Sequence, residues 1–361
     1  MHPPPLKSPC NSKVRLDKLI LPRKPSRRLT THLPDLVITH ATGRDLLNAR
    51  RDLQRLLQEA GGVAGSPEYE GAAHPHIPTP FGTAEAVEGD VVSAIDVGVP
   101  EPLREDVGFV DGIQRFSVVS WVGVVPVVRA AVGAAALRRE DGRLTPVIAP
   151  PIEEFVVVPS DGLDEGLVAE IRTLPFVVKE CQPAERPHPI LDYQRAVGVV
   201  EGQRVRAERS VCREFRSVAP DAWLVVDGGI RGLDALSNAE RLVGVIKSHE
   251  TQFLAGRDFE TALRLDEGQR TSVFRRFDAR SDPVYSWYLR LWDWRKHDLL
   301  YGLLRLERVP DSCVLEDVGV MSRWLLAERA PLAARDRRWD RLLYPMHEVE
   351  QFLKARAGGW Q

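Results

Sequence analysis

Two apolar runs in this chain end alike, Gly108-Phe109-Val110-Asp111-Gly112 and Leu224-Val225-Val226-Asp227-Gly228. A short apolar run bounded by a turn signal reads as a buried strand. A carboxylate at the end of such a strand either caps a turn or is held at the sheet edge to bind a cation or a phosphate. One Asp-Gly pair reads most simply as a turn. Two in matching settings, separated by a helix that carries a misplaced glutamate, shift the balance.

That helix is expected over 201–218, EGQRVRAERSVCREFRSV. On a wheel of about 100° per residue, Val205, Val211, Cys212, Phe215 and Val218 form one apolar stripe. Glu208 falls near the centre of the stripe, whereas Glu214 turns toward solvent. A carboxylate on a buried stripe is costly unless it is paired or bound to a cation. A salt bridge to one of the many arginines is the plain alternative. If the two Asp-bearing strands are neighbours, Asp111 and Asp227 stand side by side and the helix lowers Glu208 onto them. Clustered carboxylates suit Mg²⁺ or Mn²⁺, which take oxygen ligands.

The rest of the chain frames these residues. With 361 residues and 43% hydrophobic content it can bury a large core. Lys and Arg total 49 against 51 Asp and Glu, so any polyanion contact has to come from local clustering of charge. Cys10, Cys181, Cys212 and Cys313 are too scattered for a zinc site and are expected as free thiols of a reducing compartment. No apolar run is long enough for a bilayer and the N-terminus lacks the apolar core of a signal peptide, so no membrane association and a cytoplasmic location are expected.

Residues 1–42 carry prolines and a basic run from Lys13 to Arg28, and are expected as a mobile arm. Residues 43–85 hold an amphipathic helix, with Leu46, Leu47, Leu53, Leu56 and Leu57 at helical spacing, then a Gly- and Pro-rich linker containing His74 and His76. Residues 86–361 form the main domain. GFVDGIQRF, SVVSWVGVV and PVVRAAVGAAAL read as three strands of an antiparallel meander. WLVVD, LVGVIKS, YSWYLRLW and LYGLLRLE read as later strands, and DRLLYPMHEVEQFLKAR as a closing helix. The aromatic-basic stretch Tyr285–Lys296 is expected in the core or at a subunit surface sooner than as a base-stacking platform.

The order of meander with Asp, helix with Glu, and strand with Asp is that of a ribonuclease-H-like α/β fold, a mixed sheet flanked by helices. The ordered blocks FVDGIQRF, LVVDGGIRG, LVGVIKSHE, YSWYLRLW with LLRLE, and LLYPMHEVEQ resemble those of the NurA nuclease family over roughly residues 90–355. The resemblance implies a Mn²⁺- or Mg²⁺-dependent DNA nuclease with 5′–3′ exonuclease and single-strand endonuclease activity. It also implies a homodimer that works in DNA end processing and repair with a hexameric HerA-type ATPase. Carried over residue by residue, it makes Asp111, Glu208 and Asp227 the metal ligands and places Lys247 near substrate phosphate. A further ligand from the closing helix is His347 or Glu350. Arg115 and Arg231, each four residues beyond an Asp, are candidate DNA-backbone contacts.

Two other functions fit parts of the chain. AIDVG (94–98) looks like the first phosphate-binding strand of sugar kinases and actin-like ATPases, with WLVVDGG as the second. A nuclease-fold adaptor without activity is the other alternative, against which stands the presence of all three carboxylates.

Overall fold

The computed structural model describes residues 43–64, 81–140, 142–233, 236, 239–249, 251–278, 281–310, 314–332 and 339–357. The basic arm 1–42, the histidines of the linker, Cys10 and Cys313 lie outside them.

The first helix, α1 (Gly43–Glu59), is the amphipathic segment expected from leucine spacing. Ala49, Leu53 and Leu57 bury its inner face. Three short strands follow, β1 (Val63–Ala64), β2 (Thr83–Ala86) and β3 (Ala94–Asp96). Next come two 16-residue strands, β4 (Val107–Val122) and β5 (Val125–Glu140), joined at Gly123-Val124. The expected meander of three strands is therefore one long hairpin, because the first two apolar stretches run on without a break. β6 (Arg143–Ile148), β7 (Glu153–Val158), α2 (Glu165–Ile171) and β8 (Val177–Glu180) complete the first half.

The glutamate-bearing helix, α3 (Pro189–Val218), starts twelve residues earlier than its apolar stripe indicates. Pro189 near its first turn fits a helix start, where a missing N–H costs nothing. Its 30 residues extend about 45 Å at 1.5 Å per residue. Val211, Cys212 and Phe215 are fully buried and Glu214 is exposed, as the wheel predicts; Val218, placed on the stripe, is exposed. Then come β9 (Trp223–Asp227), β10 (Leu242–Ile246), α4 (Gly256–Leu263), β11 (Gln269–Thr271), β12 (Phe274–Asp278), β13 (Ser281–Arg290), β14 (Leu303–Arg308), α5 (Val314–Ala327) and α6 (Tyr344–Arg356).

Among the described residues the strands form one 14-stranded mixed sheet with the main order β2-β12-β13-β14-β10-β9-β4-β5-β7-β8. β9 lies parallel to both β10 and β4, while β4 and β5, and β13 and β14, are antiparallel. The fold is thus a large mixed sheet flanked by helices. Side chains alternate between the faces of a strand. Phe109, Ile113, Ala135, Val225 and Val245 pack with Met346, Val349 and Trp324 of α6 and α5 on one face. Val110, Ala134, Ala136, Leu224 and Val226 pack with Val211, Cys212 and Phe215 of α3 on the other. Trp287 and Tyr288 are interior, which places the centre of the aromatic stretch in the core.

The contact between α3 and β4 is close because β4 presents glycines there. A Cβ on Gly108 would stand 2.3 Å from the Phe215 ring. The Gly108→Ala variant is accordingly expected to lose about 1–3 kcal/mol of stability, the usual cost of overpacking, measured by urea unfolding. A variant as stable as the wild type would show that α3 does not pack as described.

β3, the strand of AIDVG, pairs with β11. β13, β14 and β10 then intervene before β9. A pair of adjacent phosphate-binding strands is therefore not formed, and Asp96 instead accepts a hydrogen bond from Gly98 N at 2.8 Å. No helix among the described residues is long and apolar enough to cross a membrane.

Candidate active site

The site forms where β9 ends beside β4. The parallel register pairs Val107 with Trp223 and continues to Val110 with Val226, so Asp111 and Asp227 are the next residues on neighbouring strands. In open α/β sheets, ligands bind in the crevice outside the carboxyl ends of parallel strands. Only Asp227 ends its strand. Asp111-Gly112 lies inside β4, paired with Ala135 and Ala134 of β5, so the expected strand-to-turn transition at Asp111 is not formed. β4 continues because β5 supports it on its other edge after β9 has departed.

Alternation decides where the carboxylates point. Asp111 shares a face with Phe109 and Ile113, and Asp227 shares it with Trp223 and Val225. Both therefore leave the sheet on the α6 side. Glu208 descends from α3 on the opposite side and lies over Gly112, where a Cβ would stand 2.3 Å from Glu208 Oε1. The missing side chain lets the glutamate carboxylate come down close to β4, near enough for its charge to influence Asp111 and to be influenced by Asp227. Its approach differs from the simple lowering onto the pair that the sequence suggests, since the face of each aspartate is set by strand register.

The electrostatics match this arrangement. Burial, followed by the neighbouring Asp227, holds the Asp111 carboxyl well above the usual carboxylate range. The Lys247 charge, a hydrogen bond of 2.7 Å from Gly112 N, and the weaker influence of Glu208 also bear on it. Burial pushes Glu208 up to about 7, against the opposing effect of Arg204 one helical turn earlier, with which it is ion-paired. Arg204 Nε also donates to Gln114 Oε1 at 3.2 Å. Lys247 Nζ forms an ion pair with Asp227 Oδ2 at 3.0 Å. Lys247 is the residue after Ile246, with which β10 ends, and β10 is the parallel neighbour of β9.

Two clefts share Arg204, Asp227 and Gly228. The first, of about 260 Å³, adds Glu208, Arg209 and Arg231 above an apolar floor that includes Val110, Val226 and Cys212. The second, of about 350 Å³, adds Ile246, Lys247, Ser248 and Arg341. Together they make a trough in which Arg204 and Asp227 belong to both parts, while Arg209 and Arg231 line one part and Lys247 and Arg341 the other. Gly228 turns the chain away with φ of 94°, a conformation that favours glycine.

The other sequence candidates lie less centrally. Arg231 lines the first cleft, and its carbonyl accepts a hydrogen bond from Arg209 at 3.0 Å. Arg115 is half-buried on β4 and lines neither cleft. His347, half-buried on α6, packs its ring 4.7 Å from that of Trp339. Glu350 pairs with Lys354 at 3.0 Å. Neither α6 residue lines the clefts. Sequence reasoning missed Arg204, Arg209, Ser248 and Arg341. Arg204 was within reach, since it precedes Glu208 by four residues on one helix; Arg341 was not, because only folding brings its guanidinium to Lys247 O, 3.5 Å away.

As to a cation, the donors are hard oxygens, and the like-charge proximity that burdens Asp111 is what a divalent ion relieves. Among the described residues no group of three or more His, Cys, Asp or Glu is arranged to hold an ion. Glu208 is engaged by Arg204 and Asp227 by Lys247, and the glutamate comes from the other face. Hard oxygen donors are the type a divalent ion takes, but the arrangement brings only the two aspartates side by side, and Glu208 would add a third donor only by leaving Arg204. Cys212, at the floor of the first cleft, is no nucleophile: burial pushes its thiol up to about 12, so it stays protonated at neutral pH.

No family model matches the chain, and no curated protein matches it. Among solved structures, the NurA nuclease from Sulfolobus solfataricus is similar to it, with a TM-score of 0.40 and 10% identity, over 86% of this chain and 90% of that chain.

Proposed function

We propose that the protein is a metal-dependent deoxyribonuclease that hydrolyses phosphodiester bonds, built on a ribonuclease-H-like core. The observation that carries this reading is the placement of Asp111 and Asp227 at the same level of adjacent parallel strands, with Lys247 ion-paired to Asp227 and Glu208 lying against Gly112 on the other face. Structural ion pairs neutralise one another, whereas here burial and like charge load Asp111 with unfavourable energy, the pattern of a functional site.

In this reading Asp111, Asp227 and Glu208 hold Mn²⁺ or Mg²⁺, and His347 or Glu350 would have to move to become a further ligand. The bound ion supplies Lewis acidity and positive charge for hydrolysis of the phosphodiester. Arg204, Lys247 and Arg341 neutralise the strand's phosphates along the trough, with Arg231 in its other part. Gly228 and Gly229 leave room for the sugar-phosphate backbone to approach. Neither cleft is lined by an aromatic side chain, which favours backbone contacts over base stacking. The 5′–3′ polarity, the homodimer, the HerA-type ATPase partner, the role in DNA end processing and the cytoplasmic location rest on the sequence reading and belong to the same proposal.

The test is digestion of end-labelled single- and double-stranded DNA with Mn²⁺, Mg²⁺ or chelator, wild type beside Asp227→Ala. Metal-dependent shortening is expected from the wild type, with a loss of about 10²–10³-fold in the variant, the scale of removing a group that stabilises transition-state charge. Cleavage that persists in chelator, or equal activity in Asp227→Ala, would sink the reading. Binding of DNA without cleavage by either protein would favour the adaptor.

A further inference from the structure

A second group of charges lies behind the site, on the α3 face of the sheet. Glu307 of β14 is fully buried, as are Arg276 of β12 and Arg305 of β14 to within a few per cent. Arg276 donates to both carboxylate oxygens of Glu307, from Nε to Oε1 at 2.6 Å and from Nη2 to Oε2 at 3.1 Å. Arg305 pairs with Oε1, and the Phe253 ring covers both guanidiniums at 5.2 and 4.8 Å from its centroid. A buried triad of this kind is weak evidence for stability, because desolvation cancels much of the attraction. Its remaining hydrogen bond suggests a different use.

Glu307 Oε2 accepts from the backbone N–H of Ile230 at 3.3 Å, and it lies 3.0 Å from where a Cβ on Gly229 would stand. Ile230 belongs to the turn that follows Asp227. Gly228 N donates to Val245 O of β10 at 2.8 Å, and the turn then folds onto Gly244. Gly244 is the cross-strand partner of Glu307. Even a methyl group there would meet Gly228 O at 2.7 Å and the Ile230 side chain at 2.9 Å. The turn is therefore held from the side by a carboxylate and from below by a bare backbone.

We propose that Glu307, fixed by Arg276 and Arg305, is a positioning residue that anchors the Gly228–Ile230 turn and so sets the Asp227 carboxylate beside Asp111. The proposal rests on the nuclease reading of the site and adds a buried triad that lines neither cleft. Glu307 acts through the backbone of the turn, which it grips at the Ile230 N–H.

Two full-length variants test it. Glu307→Gln keeps the shape but weakens the grip of both guanidiniums. Gly244→Ala leaves every charge in place and pushes the turn from below, so it keeps the test decisive should Glu307→Gln fail to fold. Hydrogen exchange of the segment 228–231, read by mass spectrometry, is expected to quicken in both, with the exchange of α3 unchanged. In the DNA-cleavage assay kcat is expected to fall about a hundredfold, the scale of a misplacement near 1 Å. KM for DNA is expected to change far less than kcat, since Arg204, Lys247 and Arg341 are intact and only the Gly228-Gly229 lining of the first cleft shifts. A merely structural triad would lower melting temperature and leave kcat alone. Wild-type kcat with a loosened turn, or unchanged exchange in both variants, overturns the proposal. An inert wild type whose turn is nevertheless loosened by both substitutions sinks the nuclease reading and supports the anchor.

Discussion

Asp111→Asn is expected to abolish metal-dependent cleavage and at the same time raise the melting temperature by several degrees. Asp111 is only 5% exposed, and burial and the adjacent Asp227 both oppose its ionisation. Asparagine has nearly the same shape, still offers an oxygen to Gly112 N, and removes the group that resists charging. A folded state that holds a carboxyl above its ordinary range binds its proton more tightly than the unfolded state does. Such a group contributes stability at low pH, which is lost as the pH rises past the unfolded value toward the folded one. At neutral pH the aspartate is thus a burden to the fold, which the proposed nuclease reading explains as carried for function, and removing it is expected to stabilise the fold. Mn²⁺ should raise the melting temperature of the wild type and not of the variant, because only the former gains a ligand that binds the native state alone. Calorimetric scans with and without Mn²⁺ check both halves. A variant that melts lower, or that responds to Mn²⁺ like the wild type, would mean that Asp111 serves packing or the Gly112 hydrogen bond.

The second large effect belongs to Glu208 and has a defined pH window. Its carboxyl is raised from 4.5 to about 7, chiefly by burial under α3. Below about 4.5 both folded and unfolded forms are protonated, and the glutamate costs nothing. Between about 4.5 and 7 the unfolded chain ionises first, so stability declines with rising pH. Above 7 both are ionised and the cost is complete. At 1.4 kcal/mol per pH unit the full cost is on the order of 3 kcal/mol, a ceiling because Arg204 can follow the carboxylate. Glu208→Gln should therefore unfold in urea like the wild type at pH 4 and resist it better at pH 8, with cleavage lost at pH 8. Equal stabilities at both pH values would place Glu208 in water, contrary to its position over Gly112.

Several of these features were readable before any fold was known. The leucines of α1 and the stripe of α3 recur at helical spacing, so both helices and the inward side of Glu208 follow from the order of residues alone. The strands WLVVD and LVGVI follow from short apolar runs with turn signals after them. The turn reading of Asp111-Gly112 could not be rejected in the same way. Whether Asp-Gly ends a strand depends on the neighbouring edge, and β5 carries β4 through it. The length of α3 was equally hidden, because its first half packs Tyr193, Ala196, Val197 and Val200 on a separate part of the core.

Periodicity is a property of neighbours in sequence, and from it the chain alone set the helices, the apolar strands and the three acidic residues that stand at or against them. Which strands lie together, and on which face each acid emerges, was decided only by tertiary structure. Pairing β4 with β9 joins residues more than a hundred positions apart, and a register shifted by one residue would have turned Asp227 to the other face of the sheet. Other long-range packing, β14 against β10 among it, brought Arg341 to Lys247 and Glu307 to the turn behind Asp227, contacts with no local signature because their energy comes from the burial of distant segments against one another.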